Sequence, residues 1–290
     1  MTPIERPGDG LLDNLPMLTQ VADEDAPDDL PTLTEVVTDE TTGETTSHPT
    51  KQPEDGCQVV GYSHSTRLSK DDSQVAGYEP SRRAEALYIL GDLFDYWAGD
   101  DDLENEFHAQ VIAALRSLAQ HGTRIYLLRG NRDLLMGEAL ANACRATLLN
   151  DPALVDLYGT PTLLSHGDML CTNDAEYQRY RAQVHDADFQ RQFLAKPLAE
   201  RKAYIAQLRE RSIAEKQSKD SAIMDVSDEA VAALLREHGY PRLIHGHTHR
   251  PDRHQHMVDG HICERWVLGD WHQQGSALRC DAQGCRSISF

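Results

Sequence analysis

The stretch ALYILGDLFDYWAGDDD, residues 86–102, begins with five apolar or aromatic residues that lead into a Gly-Asp pair. A short apolar run that ends at a glycine is typical of a buried strand followed by a loop. The pattern recurs where IYLL (125–128) precedes RGNRD, where TLLS (162–165) precedes HGD, and where LI (243–244) precedes HGHTHRP. Each strand is therefore predicted to end in a loop that carries a side chain able to bind a metal.

Residues 104–122, ENEFHAQVIAALRSLAQHG, separate the first two of these strands and have the spacing of an amphipathic helix. One face of this helix would collect its apolar side chains, Phe107, Val111, Ile112, Leu115 and Leu118, and Gly122 would end it. Strand, helix and strand in succession predict a layered α/β core. Ligands bind at the carboxyl ends of strands in such cores, so the four loops are expected to build one site.

The side chains in these loops are a carboxylate, an amide and three imidazoles, from Asp92, Asn131, His166, His247 and His249. Mixed oxygen and nitrogen ligands without a thiolate suit Mn, Fe or Zn better than Ca. A carboxylate can bridge two metals, and two metals about 3.5–4 Å apart can activate water and hold a phosphoryl group. Since His245, His247 and His249 alternate, an extended segment would point His247 and His249 to the same side, toward one metal site.

The amino-terminal part of the chain differs in composition from the rest. The net charge is −19 over 290 residues; residues 1–80 hold 17 acidic and 4 basic side chains, and the remaining 210 hold 30 and 24. Residues 1–56 are rich in Thr, Pro, Asp and Glu without a sustained apolar period, so we expect a disordered acidic arm. Residues 57–83 form a junction of uncertain structure, and residues 84–290 are predicted to be the catalytic domain.

Cysteine usage and hydropathy predict a soluble chain with reduced thiols. The six cysteines form no C-x-x-C pair; a bond between Cys280 and Cys285 is possible but not required. No apolar run approaches the roughly 20 residues of a membrane span, and no signal peptide is recognisable, so a cytoplasmic location is expected.

Residues 175–220 interrupt the alternation of strands and helices with a long helical insertion, with outer limits of about 175–225. This segment carries 10 basic and 7 acidic side chains in an otherwise acidic chain. Pro197 should kink it or separate two helices. Two interpretations stay open on this evidence, a helical hairpin packed on the core or a basic lid with an apolar face.

The motif series GD, GN, HGD and GHTH resembles that of the calcineurin-like metallophosphoesterases. ALYILGDLFDYWAGDDD, LLRGNRDLLMG, HGDMLCTNDAEYQRYR, SKDSAIMDV and LIHGHTHRP are similar, over residues 84–275, to the UDP-2,3-diacylglucosamine diphosphatases of lipid A biosynthesis. The resemblance implies an αββα sandwich with a helical lid, and Mn²⁺-dependent hydrolysis of UDP-2,3-diacylglucosamine to 2,3-diacylglucosamine 1-phosphate and UMP. It also implies a peripheral location on the cytoplasmic face of the inner membrane and no nucleic-acid partner.

The resemblance also assigns roles to individual residues. Asp92 would bridge two Mn²⁺ ions, with Asn131, His166 and His247 on one ion and His249 on the other; Asp92, Asn131 and His166 would be catalytic. Substrate would be bound by Asn131, Arg132, Asp174, Ser212, Lys216, Lys219 and His247.

Arg132 follows the asparagine of the GN motif, where many metallophosphoesterases have a histidine that can protonate an alkoxide leaving group. An arginine stays protonated and cannot act as a general acid. It suits a leaving group that is itself a phosphate monoester, because that group needs no proton, and it can neutralise charge on a diphosphate. GNRD therefore favours cleavage of a diphosphate, although Arg132 could instead tie down a surface loop.

One element of the family pattern is missing ahead of Asp92, namely a first strand that ends in Asp-x-His. The nearest candidate, QVVGYSHSTRLS (58–69), has Tyr62 and His64 at the corresponding positions. This gap keeps two alternatives open, a degenerate metallophosphoesterase with an incomplete metal site that acts as a binding module, or a phosphoesterase for another nucleotide.

Overall fold

The computed structural model describes residues 58–61, 84–103, 105–216, 225–271 and 275–289, without the side chains of 58–61 and 210–216. The expected acidic arm lies outside these residues. The strands are β1 Gln58–Gly61, β2 Ala86–Leu90, β3 Arg124–Leu128, β4 Ala146–Leu148, β5 Ala153–Leu157, β6 Thr160–Ser165, β7 Arg242–His245, β8 Asp252–Val258, β9 His261–Val267, β10 Ser276–Asp281 and β11 Gly284–Ser289. The helices are α1 Glu106–Gln120, α2 Glu138–Cys144, α3 Ala175–Val184, α4 Ala187–Leu194, α5 Leu198–Lys216 and α6 Asp228–Glu237.

The strands form two sheets. The first has the order β11-β10-β1-β2-β3-β4, in which β1 to β4 are parallel, β10 is antiparallel to β1, and β11 is antiparallel to β10. The second has the order β5-β6-β7-β9-β8, with β6, β7 and β9 parallel. Parallel pairing carries the carboxyl ends of β2 and β3 to one edge of the first sheet and those of β6 and β7 to one edge of the second.

Three apolar cores show that the layers are α, β, β, α. Leu90, Leu128, Leu164 and Ile244 fill the space between the sheets. The outer face of the first sheet packs through Leu87 and Ile89 on α1 and α2, and that of the second through Leu163 and Leu243 on α6. This is the predicted sandwich.

Helix α1 confirms the expected amphipathic segment, somewhat shorter than 104–122. The side chain of Asn105 accepts hydrogen bonds from the backbone N–H groups of Phe107 and His108, which fixes the first turn. Val111, Ile112 and Leu115 are buried. Gly122, beyond the last turn, has φ 103°, a conformation that favours glycine.

The helical insertion comprises α3, α4 and α5, and Pro197 separates α4 from α5, as one of the two expectations had it. Phe193 of α4 is buried against Tyr204 of α5. Arg201 of α5 is also buried and donates to the carbonyl of Ala98 and to the carboxylate of Asp101. The insertion is therefore packed on itself and fastened to the loop that follows β2.

Two further observations concern the cysteines and the membrane. Cys280 and Cys285 face each other across the β10–β11 hairpin and form a disulfide, so the expectation of reduced thiols is wrong for this pair. Cys144, Cys171 and Cys263 are buried and are not joined in disulfides among the described residues. Within the described ranges, no helix combines the length and apolar character needed to cross a membrane.

Candidate active site

The loops that follow β2, β3, β6 and β7 meet at one point, as the sequence predicts. Two glycines make this approach possible. A Cβ at Gly91 would lie 2.6 Å from the Cα of Gly130 and 2.6 Å from Nδ1 of His166, and a Cβ at Gly130 would overlap the Asp92 carboxylate. Three of the four loops could not come this close with larger residues at either position.

Asn131, His166 and His247 place three polar atoms around a common centre. The Asn131 Oδ1 lies 3.0 Å from the His166 Nε2 and 3.1 Å from the His247 Nδ1, and the two imidazole nitrogens are 3.2 Å apart. All three residues belong to the predicted set. Ligands that bind one cation at about 2.1 Å and at right angles would be separated by about 3 Å, so this triangle has the size of one face of an octahedral metal site.

The protonation of these residues also suits a cation. The Nδ1 of His166 lies 2.9 Å from the carbonyl oxygen of Leu90, which can only accept, so Nδ1 carries a proton and Nε2 is directed at the centre. Burial would lower the pKa of His166, but the carboxylates of Asp92 and Asp168 outweigh burial and raise it. Burial and the neighbouring His166 hold the pKa of His247 well below its usual value. Negative charge around the centre therefore favours a cation there, whether a proton or a metal.

Asp92 lies at the edge of this triangle. It is fully buried and has φ 51°, and its Oδ1 is 3.8 Å from the His166 Nε2. Among the described residues, no group of three or more His, Cys, Asp or Glu side chains is arranged to hold a metal. The close set here is two imidazoles and one amide, with the Asp92 carboxylate just beyond contact, and such oxygen and nitrogen donors fit a divalent first-row metal.

Arg132 lies on the other side of Asp92. Its Nε is 3.4 Å from the Asp92 Oδ2, its Nη1 donates to the Asp95 Oδ1 at 3.0 Å, and its backbone N–H donates to the Asp92 Oδ1 at 3.0 Å. The side chain is only 8% exposed, so these contacts lie inside the site and not at the molecular surface. Asp95 also pairs with Arg209 of α5 at 3.4 Å, which links the helical insertion to this side of the site.

Asp133 is a residue of the site that sequence reasoning missed. Its buried carboxylate accepts from the backbone N–H groups of Asp92, Phe94 and Gly130, so it joins the loops after β2 and β3. Burial and the nearby Asp92 raise the pKa of Asp133 to about 7. The signal was present in the sequence, because Asp133 is the last residue of GNRD.

The GHTH loop differs from its predicted conformation. His247 has φ 66° and His249 has φ 52°, so the segment turns in the left-handed region and is not extended. The prediction that strand alternation points the two histidines to the same side is therefore wrong. His247 reaches Asn131 and His166, whereas the Nδ1 of His249 lies 3.0 Å from the Asp270 Oδ2.

Asp270 follows β9 in the text VLGDW, which has the same strand-Gly-Asp form as ILGDL at Asp92. Sequence reasoning recognised this form after β2 and overlooked it after β9. A carboxylate on the Nδ1 of His249 would leave its Nε2 for a metal, which is a common arrangement of metal-binding histidines.

The other predicted substrate residues, apart from Asn131, Arg132 and His247, lie on or near the helical insertion. Asp174 is buried and caps α3 by accepting from the backbone N–H of Tyr177 at 2.9 Å. The Tyr177 hydroxyl donates to the buried carboxylate of Asp168, which also accepts from Arg181, and the Tyr177 ring lies 5.6 Å from that of His247. Ser212 and Lys216 are in α5 with side chains outside the described set, and Lys219 lies outside the described residues.

Strand β1 occupies the place where a first strand of the family pattern is expected. It is parallel to β2, with Gly61 opposite Ile89, and lies between β2 and β10. Tyr62 and His64, the candidates for its ligands, lie outside the described residues. The chain does contain Asp-x-His triplets downstream, at 252–254, 259–261 and 270–272, but the first two belong to the exposed β8–β9 hairpin.

Comparison with known proteins is consistent with this geometry. Residues 72–251 match the family model described as calcineurin-like phosphoesterase. The chain is 55% identical over 205 residues to the UDP-2,3-diacylglucosamine hydrolase of Aromatoleum aromaticum, which covers 71% of this chain and 83% of that protein. It is 49% identical over 209 residues to the protein of the same name from Edwardsiella ictaluri, covering 72% and 80%.

A third protein of that name, from Xanthomonas axonopodis pv. citri, is 49% identical over 208 residues, covering 69% of this chain and 84% of the other. Among solved structures, wild-type Vps29 complexed with zinc from Entamoeba histolytica covers 80% of this chain and 98% of its own at 11% identity and a TM-score of 0.36, too low a similarity to support a conclusion. The family model spans more than half of the chain and the relatives are about half identical, so this protein belongs to the calcineurin-like phosphoesterases.

Proposed function

We propose that this protein is a metal-dependent hydrolase that cleaves the diphosphate of UDP-2,3-diacylglucosamine, giving 2,3-diacylglucosamine 1-phosphate and UMP in lipid A biosynthesis. The proposal rests on two facts taken together. The chain is about 50% identical to hydrolases of that name, and its own loops after β2, β3, β6 and β7 meet in one buried, negatively charged site.

Membership of this family implies divalent metal ions, and we propose Mn²⁺ as the ion. Asn131, His166 and His247, with Asp92, would hold one ion, and Asp92 and His249 would contribute to a second. Bound metals would supply a polarised phosphoryl oxygen and an activated water at neutral pH. The chain's own contribution is to present unprotonated imidazole nitrogens, which the Leu90 carbonyl secures for His166 and the Asp270 carboxylate for His249.

Arg132 would bind the diphosphate and stabilise the charge that gathers on the departing phosphate. Its guanidinium is held by Asp92 and Asp95, so its position is set before substrate arrives and little conformational entropy is lost on binding. A phosphate monoester leaves without a proton, so the absence of a histidine at position 132 is compatible with this substrate.

The helical insertion would cover the acyl chains, with Asp174, Ser212, Lys216 and Lys219 binding substrate together with Asn131, Arg132 and His247. Lysines suit a diphosphate electrostatically. A contact between the acylated substrate and its membrane calls for a peripheral location on the cytoplasmic face of the inner membrane, and no nucleic acid is involved. The catalytic domain would be residues 84–290, with β1 of the junction at 57–83 completing its first sheet, and an acidic arm at 1–56 would precede them.

A degenerate domain that binds without catalysis is the second candidate, and one observation favours it. No Asp-x-His precedes Asp92 in the sequence, so part of one metal site is without its usual ligands. A phosphoesterase for another nucleotide is less favoured, because relatives about 50% identical to this chain are named as hydrolases of UDP-2,3-diacylglucosamine.

The decisive experiment incubates the purified full chain with Mn²⁺ and UDP-2,3-diacylglucosamine in ¹⁸O-labelled water. Release of UMP and of the acylated sugar phosphate, with one labelled oxygen between them, is the expected result, and the labelled product identifies the phosphorus attacked. An Asn131→Ala variant should lose turnover by about 100-fold or more, since a metal ligand is removed.

A non-acylated UDP-sugar and a simple phosphodiester serve as competing substrates. Preference for the phosphodiester would favour a phosphoesterase of different specificity. Binding of the acylated substrate without any turnover, at saturating Mn²⁺, would favour the degenerate domain instead.

A further inference from the structure

His245, the first histidine of HGHTH, lies at the end of β7 and is fully buried. Its Nδ1 is 3.0 Å from the carbonyl oxygen of Gly246, and its Nε2 is 3.1 Å from the Nη1 of Arg265. The proposed metal ligands do not include it. Its ring instead contacts the backbone of the loop that carries His247.

The partners of His245 fix its tautomer. Arg265 of β9 is always protonated and can only donate, so the Nε2 of His245 must accept. The Gly246 carbonyl can only accept, so the Nδ1 must carry the proton. Arg265 is itself buried and held from the other side, where its Nε donates to the His256 Nε2 at 2.9 Å. His245 is thus a neutral imidazole in a single tautomer and orientation.

These contacts reach both histidine loops of the site. The Gly246 carbonyl accepts from the His245 Nδ1 and from the backbone N–H of Thr248 at 2.8 Å, which closes the turn around His247. The backbone N–H of Gly246 donates to the carbonyl of His166 at 3.0 Å. A Cβ at Gly167 would lie 2.7 Å from the His245 Nδ1, so the ring also packs against the HGD loop.

His247 needs such support because its backbone is strained. A histidine at φ 66° is less stable than one in the right-handed or extended regions, so surrounding contacts must hold the turn. We propose that His245 is a positioning residue that, through its hydrogen bond to the Gly246 carbonyl, fixes the turn that directs His247 at the metal. This inference rests on the proposed role of His247 as a metal ligand.

Two substitutions separate the contacts of His245. In His245→Asn, the side-chain amide nitrogen can occupy the place of Nδ1 and still donate to Gly246. In His245→Gln, the amide reaches the place of Nε2 and can accept from Arg265, but the bond to Gly246 is lost. Mn²⁺ affinity is measured by titrating metal-free full-length protein with Mn²⁺ and following the free ion by electron paramagnetic resonance, alongside the melting temperature without metal.

We expect the Mn²⁺ affinity of His245→Asn to stay within about threefold of the wild-type value. The Mn²⁺ affinity of His245→Gln should fall by about 10–100-fold, the range typical of residues that orient metal ligands. In a His247→Asn background, adding His245→Gln should lower affinity by no more than about twofold, since the residue acts through His247. The matched control is His261→Gln, at an exposed histidine of β9 that stacks on Tyr240.

Wild-type Mn²⁺ affinity in His245→Gln would overturn the proposal. It would also be overturned if His245→Gln lowered Mn²⁺ affinity as much in the His247→Asn background as in the wild type, because that would indicate a general structural role. If His245→Gln does not fold, Arg265→Met tests the same chain of contacts with the imidazole intact, and an unchanged affinity there would count against it. Because metal binding is read without substrate, failure of the positioning role and failure of the proposed substrate are distinguishable.

Discussion

In the proposed mechanism, Arg132 serves the reaction without transferring a proton. Its guanidinium is almost fully buried between the carboxylates of Asp92 and Asp95. A buried arginine held by two carboxylates is already oriented and partly desolvated, so its remaining donors can act on an incoming diphosphate at little cost.

We expect Arg132→Ala to lower kcat/KM for the acylated UDP-sugar by about 100-fold or more, because a donor that stabilises developing negative charge is removed. Metal content should stay unchanged, since Arg132 is not a ligand. Steady-state kinetics and metal analysis on the same preparation check both parts. Arg191→Ala, at an exposed ion pair of α4, is the control. A variant with undiminished kcat/KM would remove Arg132 from the mechanism.

The limits of sequence reasoning also show at this scale. The sequence could predict that four residues lie in converging loops, because each follows an apolar run that ends in a polar, glycine-containing segment: Asp92, Asn131, His166 and His247. The conformation of the GHTH loop could not be predicted. His247 and His249 have φ values of 66° and 52°, and the loop that carries them contacts His166 and Asp270, which are distant in sequence. Asp133 could have been identified as a candidate from the GNRD motif, but its partners are backbone N–H groups, so its role in joining the loops after β2 and β3 could not be predicted from the sequence.

Among the secondary-structure elements, the strands with long apolar runs were predicted nearly to the residue, and α2 was not predicted. Its amino-terminal N–H groups are satisfied from outside the helix by Asp100, whose carboxylate accepts from Gly137, Ala139 and Leu140. Asp100 also accepts from the indole of Trp97. A cap that comes from 37 residues earlier in the chain leaves no local signal at the start of the helix.

Asp100→Ala should therefore destabilise the protein by about 1–2 kcal/mol, the usual cost of losing a helix cap. For a protein of this size that corresponds to a fall in melting temperature of roughly 2–8 °C. Thermal unfolding followed by circular dichroism measures it. Asp188→Ala, at an exposed carboxylate paired with Arg191, should change the melting temperature far less. Equal effects of the two substitutions would show that the cap contributes little.

At the scale of the whole molecule, the first sheet contains the strand expected before β2, although the Asp-x-His motif expected at the end of that strand is missing. Strand β1 takes its place beside β2, so its carboxyl end lies at the edge where Asp92 and Asn131 are found. The residue that follows this strand is Tyr62, and tyrosine is a poor substitute for a carboxylate because its pKa near about 10 keeps the hydroxyl protonated.

We expect close to one tightly bound Mn²⁺ per chain, since the second ion would depend mainly on Asp92 and His249. Tyr62→Asp should raise both the number of bound ions and the rate, because a carboxylate is added after β1. Metal analysis after gel filtration and the initial rate check the two effects. Two firmly held ions in the wild-type chain would show that another carboxylate has replaced the missing one, and Tyr62→Phe controls for loss of the hydroxyl.

The position of β1 also bears on how the protein folds as it is synthesised. Gln58 pairs with Cys280, a separation of 222 residues (280 − 58), so β1 cannot pair with β10 until residue 280 has been synthesised. At typical rates of synthesis this interval is on the order of tens of seconds, during which β1 has one unpaired edge. Such long-range pairing slows folding and leaves time for association with other chains. The β10–β11 hairpin thus completes the first sheet during synthesis, and ribosome-bound chains that lack it would depend on chaperones.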